Sequence, residues 1–143
     1  MTYTRTRAIG RVYPDVHAEL IAHGASSPHE EVGGLVILAP RRVGLHVVHW
    51  YPLDNIAREY VRHQVYVPDL ARLYELVPSS LELWGLFHTH PTSDEQPSDV
   101  DRRSWAAGLA CNLIYSVPTQ RLAIYGTGWE PLELVESVLN PDD

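Results

Sequence analysis

Two short segments, each ended by a proline, limit the fold of this chain more than any other feature of its sequence. The apolar run over 33–38 ends before Pro40, and the segment 81–90 is stopped by Pro91. Short apolar runs between turn signals are typical of strands buried inside a domain. The chain therefore needs elements that cover these strands.

Helical segments alternate with the strands. Three segments have the start signals or the apolar spacing of helices, and they cover 14–23, 69–77 and 98–107. The first helix is predicted to break at 24–28. The second has one apolar stripe, formed by Leu70, Leu73, Tyr74 and Val77. Further strands are predicted over 43–51, 63–67, 109–117 and 121–126. Residues 1–10 fit a loose arm or an edge strand, and 132–139 fit a strand or a helix. This mixture predicts an α/β domain with three layers or a wrapped sheet.

Length and composition exclude several classes of protein. A chain of 143 residues, 45% hydrophobic and 20% charged, is typical of one folded domain, here 1–143. Its net charge of -7 argues against nucleic-acid binding, which depends on clustered Lys and Arg. The single cysteine, Cys111, excludes a disulfide within the chain and a Cys-rich zinc site, and is predicted in the core. No signal peptide and no apolar run of about 20 residues is visible, so we expect a cytoplasmic protein without membrane contact.

A candidate metal site begins with His88 and His90. Residues two apart on a strand point to the same face, so both imidazoles can reach one ion. Asp101, three residues after Ser98, lies at the start of the helix that follows the polar loop 92–97. If the loop folds back, two nitrogens and one oxygen form the ligand set of a catalytic zinc, which keeps one position for water.

Each part of this site has a simpler explanation. Two histidines on a strand are more often solvated. Ser-x-x-Asp before a helix is the pattern of a capping box. A base for hydrolysis would come from Glu30 or Glu31, which precede the apolar run, although both also fit an exposed loop end.

Together these residues resemble the JAMM (MPN+) metalloprotease family. Its signature is an upstream Glu, then His-x-His-Pro, about six residues, and Ser-x-x-Asp. Here His88-Thr89-His90-Pro91 is followed by six residues and then by Ser98 and Asp101. Upstream, Glu31-Val32-Gly33-Gly34-Leu35 is similar to the Glu-x-x-Gly-Leu of the family, which selects Glu31 over Glu30. Val32-Gly33 departs from bacterial members, which often carry Cys in this segment. The resemblance covers most of the chain.

The resemblance implies an MPN fold, a curved mixed β-sheet flanked by helices in one domain. It implies one Zn²⁺ per chain, bound by His88, His90 and Asp101, with Glu31 as general base. It implies that Ser98 stabilises the oxyanion formed during hydrolysis, which agrees with the effect of a hydroxyl donor aimed at developing charge. A zinc-dependent peptidase or isopeptidase is the expected activity.

The family also suggests substrates. It includes isopeptidases that release ubiquitin-like proteins, prokaryotic members that process sulfur-carrier proteins, and phage tail-assembly peptidases. We expect cleavage near the C-terminus of a ubiquitin-like or sulfur-carrier protein, with its extended tail along a sheet edge. The segment 55–69 is the candidate substrate-facing loop. A phage tail-assembly peptidase is the alternative. A non-catalytic MPN scaffold and a zinc hydrolase of small amides stay open, and the sequence does not indicate an oligomeric state.

Overall fold

The computed structural model describes residues 8–39, 44–56, 66–77, 83–104 and 109–136. Within these ranges the chain forms seven strands and three helices. In chain order they are β1 (Ile9–Val12), α1 (Pro14–Ser26), β2 (Gly33–Leu38), β3 (Leu45–Leu53), α2 (Leu70–Leu76), β4 (Trp84–His90), α3 (Asp99–Ser104), β5 (Asn112–Ser116), β6 (Arg121–Tyr125) and β7 (Pro131–Glu136). Most of the strand predicted over 63–67 lies outside the described residues, as do the ends of the predicted elements 98–107 and 132–139.

The strands form one mixed sheet that closes on itself in the order β1-β3-β2-β4-β5-β6-β7. β1 closes the ring because it pairs in parallel with β3 on one side and with β7 on the other. A curved mixed sheet was predicted; the sheet is mixed, but it forms a closed ring. Ile9 and Gly10, predicted in a loose arm or edge strand, lie in β1 between two neighbours. This long-range pairing joins distant parts of the chain, which local patterns do not encode.

One face of the ring shares the main core with α1. Val16 and Leu20 of the helix belong to the same buried cluster as Phe87 of β4 and Tyr115 of β5. Helix α1 continues through Gly24 and ends at Ser26, so the break does fall within 24–28 but not at the glycine where it was predicted to begin. Gly24 lies so close to the sheet that a Cβ atom would stand 2.5 Å from Tyr115 Cδ1. The glycine therefore permits close packing and does not end the helix.

The opposite face of β2 and β4 carries a second apolar cluster beneath α2. Leu35 and Trp84 pack there with Leu73 of the helix, and Val77 packs against them. Tyr74 was predicted on the same stripe, but it is 71% exposed. Leu73 lies on the side of α2 that faces the sheet, and Val77 directly after the helix packs against the same cluster, whereas Tyr74 lies on a different side of the helix.

Three further predictions concern the run 33–38, the segment after residue 130 and Cys111. β2 covers the apolar run 33–38 as predicted, and the segment after residue 130 forms a strand, which decides the ambiguous period. Cys111 is fully buried in the main core, as predicted. None of the helices among the described residues has the length and apolar character needed to cross a bilayer.

Candidate metal centre

His88 and His90 lie side by side near the end of β4, on the face opposite the main core. Residues 87 and 89 alternate with them and point the other way, as strand geometry requires. The two ring centroids are 5.1 Å apart. His88 and His90 are only 3% and 4% exposed, so the alternative of two solvated surface histidines is wrong.

Asp101 of α3 contacts both imidazoles. Its Oδ1 lies 3.0 Å from His88 Nε2, and its Oδ2 lies 3.0 Å from His90 Nε2. The segment between β4 and α3 therefore folds back over the strand end, as the argument from the sequence required. One carboxylate spans the ring nitrogens that point away from the strand.

Ser98 and Asp101 also form a complete capping box at the start of α3. The Asp101 N–H donates to Ser98 Oγ over 3.0 Å, and the Ser98 N–H donates to Asp101 Oδ2 over 2.9 Å. Asp101 can act both in the capping box and as a metal ligand, because its Oδ2 accepts from the Ser98 N–H and still lies 3.0 Å from His90 Nε2. Ser98 Oγ acts as an acceptor in the box, so its hydroxyl proton can donate to another group.

Glu31 reaches the same point from the neighbouring strand. β2 and β4 are antiparallel with Gly33 opposite His88, so Glu31 falls opposite His90 and on the same face. Ligand atoms of Glu31, His88 and His90 all lie within 4.8 Å of one another. Glu31 is 8% exposed, which excludes a solvated loop end for this residue.

Burial changes the proton affinity of Glu31. Removal from water raises the pKa of its carboxyl to about 8; the charge of His90 opposes this shift and the charge of Asp101 adds to it. The side chain therefore holds a proton near neutral pH when no cation is close. That affinity is the property required of a group that takes a proton from water.

His90 and Asp101 shift each other in opposite directions. Burial alone would lower the pKa of His90, but its hydrogen bonds to Asp101 and to the Asp94 carbonyl outweigh this and raise it. Burial alone would likewise raise the pKa of Asp101, but hydrogen bonds from His88 and His90 outweigh it and lower the pKa. These shifts favour a protonated His90 beside an ionised Asp101. A metal cation could replace the His90 proton at this position.

The donor set fits a zinc ion. His90 Nδ1 lies 2.7 Å from the Asp94 carbonyl oxygen, which can only accept, so Nδ1 carries a proton and Nε2 is left for a metal. His88 Nε2 is buried and lies 3.0 Å from Asp101 Oδ1, but among the described residues no contact of this nitrogen has the geometry of a hydrogen bond. Ligands on a tetrahedral zinc stand about 3.3 Å apart, close to the 3.0 Å contacts between the imidazoles and Asp101.

A comparison with protein families gives a match over residues 14–130 to the prokaryotic homologs of the JAB domain. The matched range includes Glu31, both histidines, Ser98 and Asp101. The chain belongs to this family. The resemblance to JAMM proteins noted from the motif is thereby confirmed.

Solved structures resemble this JAB-family protein over nearly its whole length. A protein from Desulfitobacterium hafniense is 23% identical with a TM-score of 0.63, over 93% of this chain and 95% of that one. A JAB1/MPN domain protein from Archaeoglobus fulgidus is 11% identical with a TM-score of 0.56, over 90% and 97% of the two chains. A structure described as a JAMM metalloprotease-like zinc site in the proteasome and signalosome is 12% identical with a TM-score of 0.56, over 92% and 100%. At these identities the likeness shows the MPN fold alone. No curated protein sequence matches the chain.

Two residues that hold Glu31 in this JAB-family protein were missed in the sequence. Asn55 Nδ2 donates to the Glu31 carbonyl over 2.9 Å, and Thr89 Oγ1 accepts from the Val32 N–H over 2.9 Å. Asn55 begins the segment 55–69 predicted to face the substrate, of which 57–65 lie outside the described residues. Thr89 lies between the two histidines in the sequence. The alternation of side chains along a strand points it toward the opposite face, and this was the sequence signal that it could support the backbone beside Glu31.

The buried Glu31 predicts a pH-dependent cost in stability. Its folded pKa of about 8 lies above that of an unfolded Glu, so its stabilising effect is complete below about pH 4.5 and is lost as the pH rises through 8. In the presence of a chelator, Glu31→Gln should therefore match the native chain at pH 4.5 and exceed it by about 3–5 kcal/mol at pH 8. Urea unfolding at both pH values measures this difference. Equal stability at pH 8 would show that Glu31 ionises freely.

Proposed function

We propose that this protein is a zinc-dependent peptidase or isopeptidase whose metal is bound by His88, His90 and Asp101. The observation that carries the proposal is the convergence of two imidazole nitrogens and one carboxylate at a buried point beside Glu31. Three nitrogen and oxygen ligands are typical of a catalytic zinc with an open position. A structural zinc usually has four protein ligands, often thiolates, and Cys111 is buried in the main core.

Zinc bound at this point would polarise the scissile carbonyl and lower the pKa of water enough for hydrolysis near neutral pH. Glu31 is the proposed general base. Its carboxylate lies close to the ligand atoms, so it can accept a proton from water and deliver it to the leaving nitrogen. The contacts from Asn55 and Thr89 hold the peptide bond between Glu31 and Val32, which fixes the backbone position from which the Glu31 side chain extends.

Ser98 is proposed to stabilise the oxyanion. Its Oγ accepts from the Asp101 N–H, which fixes the hydroxyl beside a proposed ligand and leaves its proton for the developing negative charge. A fixed donor needs little reorganisation when the charge develops, so its effect on the transition state exceeds its effect on substrate binding.

The proposed substrate is a protein with an extended C-terminal tail, such as a ubiquitin-like or sulfur-carrier protein. Two segments contact the cluster: Asn55 donates to the Glu31 carbonyl, and Asp101 of α3 contacts both histidines. Ile56, next to Asn55, is 48% exposed, and Val100, next to Asp101, is 45% exposed. Exposed apolar side chains next to residues of the cluster suit contacts with an extended tail, and the described strands close into a ring without a free edge for strand addition.

Cleavage of ubiquitin-like fusions tests this function. The purified protein is incubated with ubiquitin-like proteins that carry a C-terminal extension, with and without a chelator, and its metal content is measured. We expect chelator-sensitive release of the extension and about one zinc per chain. A zinc-loaded protein that cleaves none of the fusions contradicts the assigned substrate. A protein that binds no zinc contradicts the metal site and favours a binding scaffold.

A further inference from the structure

Three successive backbone carbonyls in the 91–97 loop each accept a hydrogen bond from a side chain. Ser116 Oγ donates to the Ser93 carbonyl over 2.7 Å, and Tyr125 OH donates to the Glu95 carbonyl over 2.5 Å. The carbonyl between them, that of Asp94, lies 2.7 Å from His90 Nδ1. The two hydroxyls therefore hold the carbonyls on either side of the Asp94 carbonyl, which contacts a proposed zinc ligand.

Both hydroxyls are carried by rigid parts of the β5–β6 hairpin. Ser116 is 0% exposed, and its Oγ also accepts from the Thr119 N–H over 3.2 Å. Tyr125 is 3% exposed, and its ring packs against Trp129 with centroids 5.9 Å apart. Without these bonds, the two buried hydroxyls would lose the carbonyls that accept from them, although Ser116 Oγ would keep its contact with the Thr119 N–H, so the bonds favour the observed loop conformation.

The position of the Asp94 carbonyl determines which nitrogen of His90 is free. A carbonyl on Nδ1 requires a proton there, so the lone pair of the neutral ring is on Nε2, which faces Asp101. If the carbonyl moved away, the ring could carry its proton on either nitrogen and could rotate. Both changes reduce the fraction of the protein that is ready to bind a metal.

We propose that Ser116 and Tyr125 are positioning residues for the metal centre, which act through the Ser93 and Glu95 carbonyls to hold the Asp94 carbonyl on His90 Nδ1. This inference rests on the proposed function, because it assumes that His90 binds zinc through Nε2. Neither residue belongs to the His-x-His-Pro and Ser-x-x-Asp motif. They lie on the hairpin that follows the motif in the chain and pack against its loop.

The hairpin also supplies a matched control. Thr119 Oγ1 donates to the Glu95 side chain over 2.6 Å at an exposed position, so it contacts the same loop without touching a carbonyl beside Asp94. Thr119→Val therefore removes a hydrogen bond between the hairpin and the loop but leaves the hydrogen bonds from Ser116 and Tyr125 to the loop carbonyls intact. Tyr74→Phe, at a position of α2 that is 71% exposed, is a second control for the loss of a tyrosine hydroxyl.

The test measures zinc affinity by chelator competition and the Nδ1–H signal of zinc-bound His90 by NMR. Tyr125→Phe and Ser116→Ala should each weaken zinc binding by about tenfold, the low end for residues that support a ligand. In both variants the His90 Nδ1–H should exchange faster with water than in the native protein. Thr119→Val and Tyr74→Phe should change zinc affinity by less than about twofold.

The outcomes separate this inference from the proposed function. If the native protein binds no zinc, the proposed function fails. If it binds zinc and both variants bind equally well with an unchanged Nδ1–H signal, the positioning function is wrong even if their unfolding temperatures fall. The two substitutions are independent, so if one variant does not fold, the other decides.

Discussion

Glu31→Gln is expected to lose hydrolysis and keep its zinc. General-base catalysis contributes about 10²–10⁴-fold, so kcat for a cleaved fusion should fall by about 10³-fold. Glutamine has the same shape but no basic oxygen, and the backbone contacts of residue 31 with Asn55 do not involve the carboxylate. The measurements are kcat and zinc content on the same preparation.

Glu30→Gln is the matched control for this prediction. Glu30 is adjacent in sequence and is the alternative base that the residues alone left open, but it is not part of the buried cluster. Its substitution should leave kcat within about threefold of the native value. If Glu30→Gln is inactive and Glu31→Gln is fully active, the base has been assigned to the wrong residue.

His88→Ala should remove both zinc and activity. The substitution leaves two proposed ligands, and its effect on zinc affinity should exceed the roughly 10–100-fold lost when a supporting residue is changed. Metal analysis should fall from about one zinc per chain to near zero, and hydrolysis should fall to the level seen with a chelator. Added zinc should raise the unfolding temperature of the native protein much more than that of the variant, because only a ligand that binds the folded state stabilises it.

His49→Ala controls for the loss of a histidine. His49 lies on β3, is exposed, and packs its ring against Tyr51 away from the cluster. This variant should keep its zinc and its activity. Full zinc content in His88→Ala would contradict the proposed ligand set, whereas a simultaneous loss in His49→Ala would indicate a general effect on folding.

The two effects predicted for Glu31→Gln have one cause. The chain buries a carboxyl whose pKa rises to about 8, which costs stability at neutral pH and provides a base for hydrolysis. The same substitution should therefore stabilise the metal-free protein and abolish the proposed hydrolysis. This trade-off is common where function needs an unfavourably buried group.

Much of the local structure could be predicted because it depends on neighbours in the sequence. The run 33–38 forms β2 as predicted, and the spacing of His88 and His90 correctly placed both side chains on one face of β4. The capping box at Ser98 and Asp101 also followed from a spacing of three residues. Gly24 was misjudged because it packs closely against Tyr115, a residue distant in the sequence. Tyr74 was misjudged because the side of α2 that packs against the sheet is decided by the tertiary structure.

The sequence by itself determined the donor types of this site, because the spacing within His-x-His-Pro and Ser-x-x-Asp limits which side chains can meet locally. The resemblance of residues 31–35 to the Glu-x-x-Gly-Leu pattern also selected Glu31 over Glu30, although the sequence did not show where its side chain lies. Only the tertiary structure decided that Glu31 lies opposite His90, because strand register joins residues far apart in the chain. It alone revealed that β1 closes the ring and that Ser116 and Tyr125 bracket the Asp94 carbonyl. These are contacts between distant segments, whose geometry is set by packing of the whole chain and leaves no local pattern.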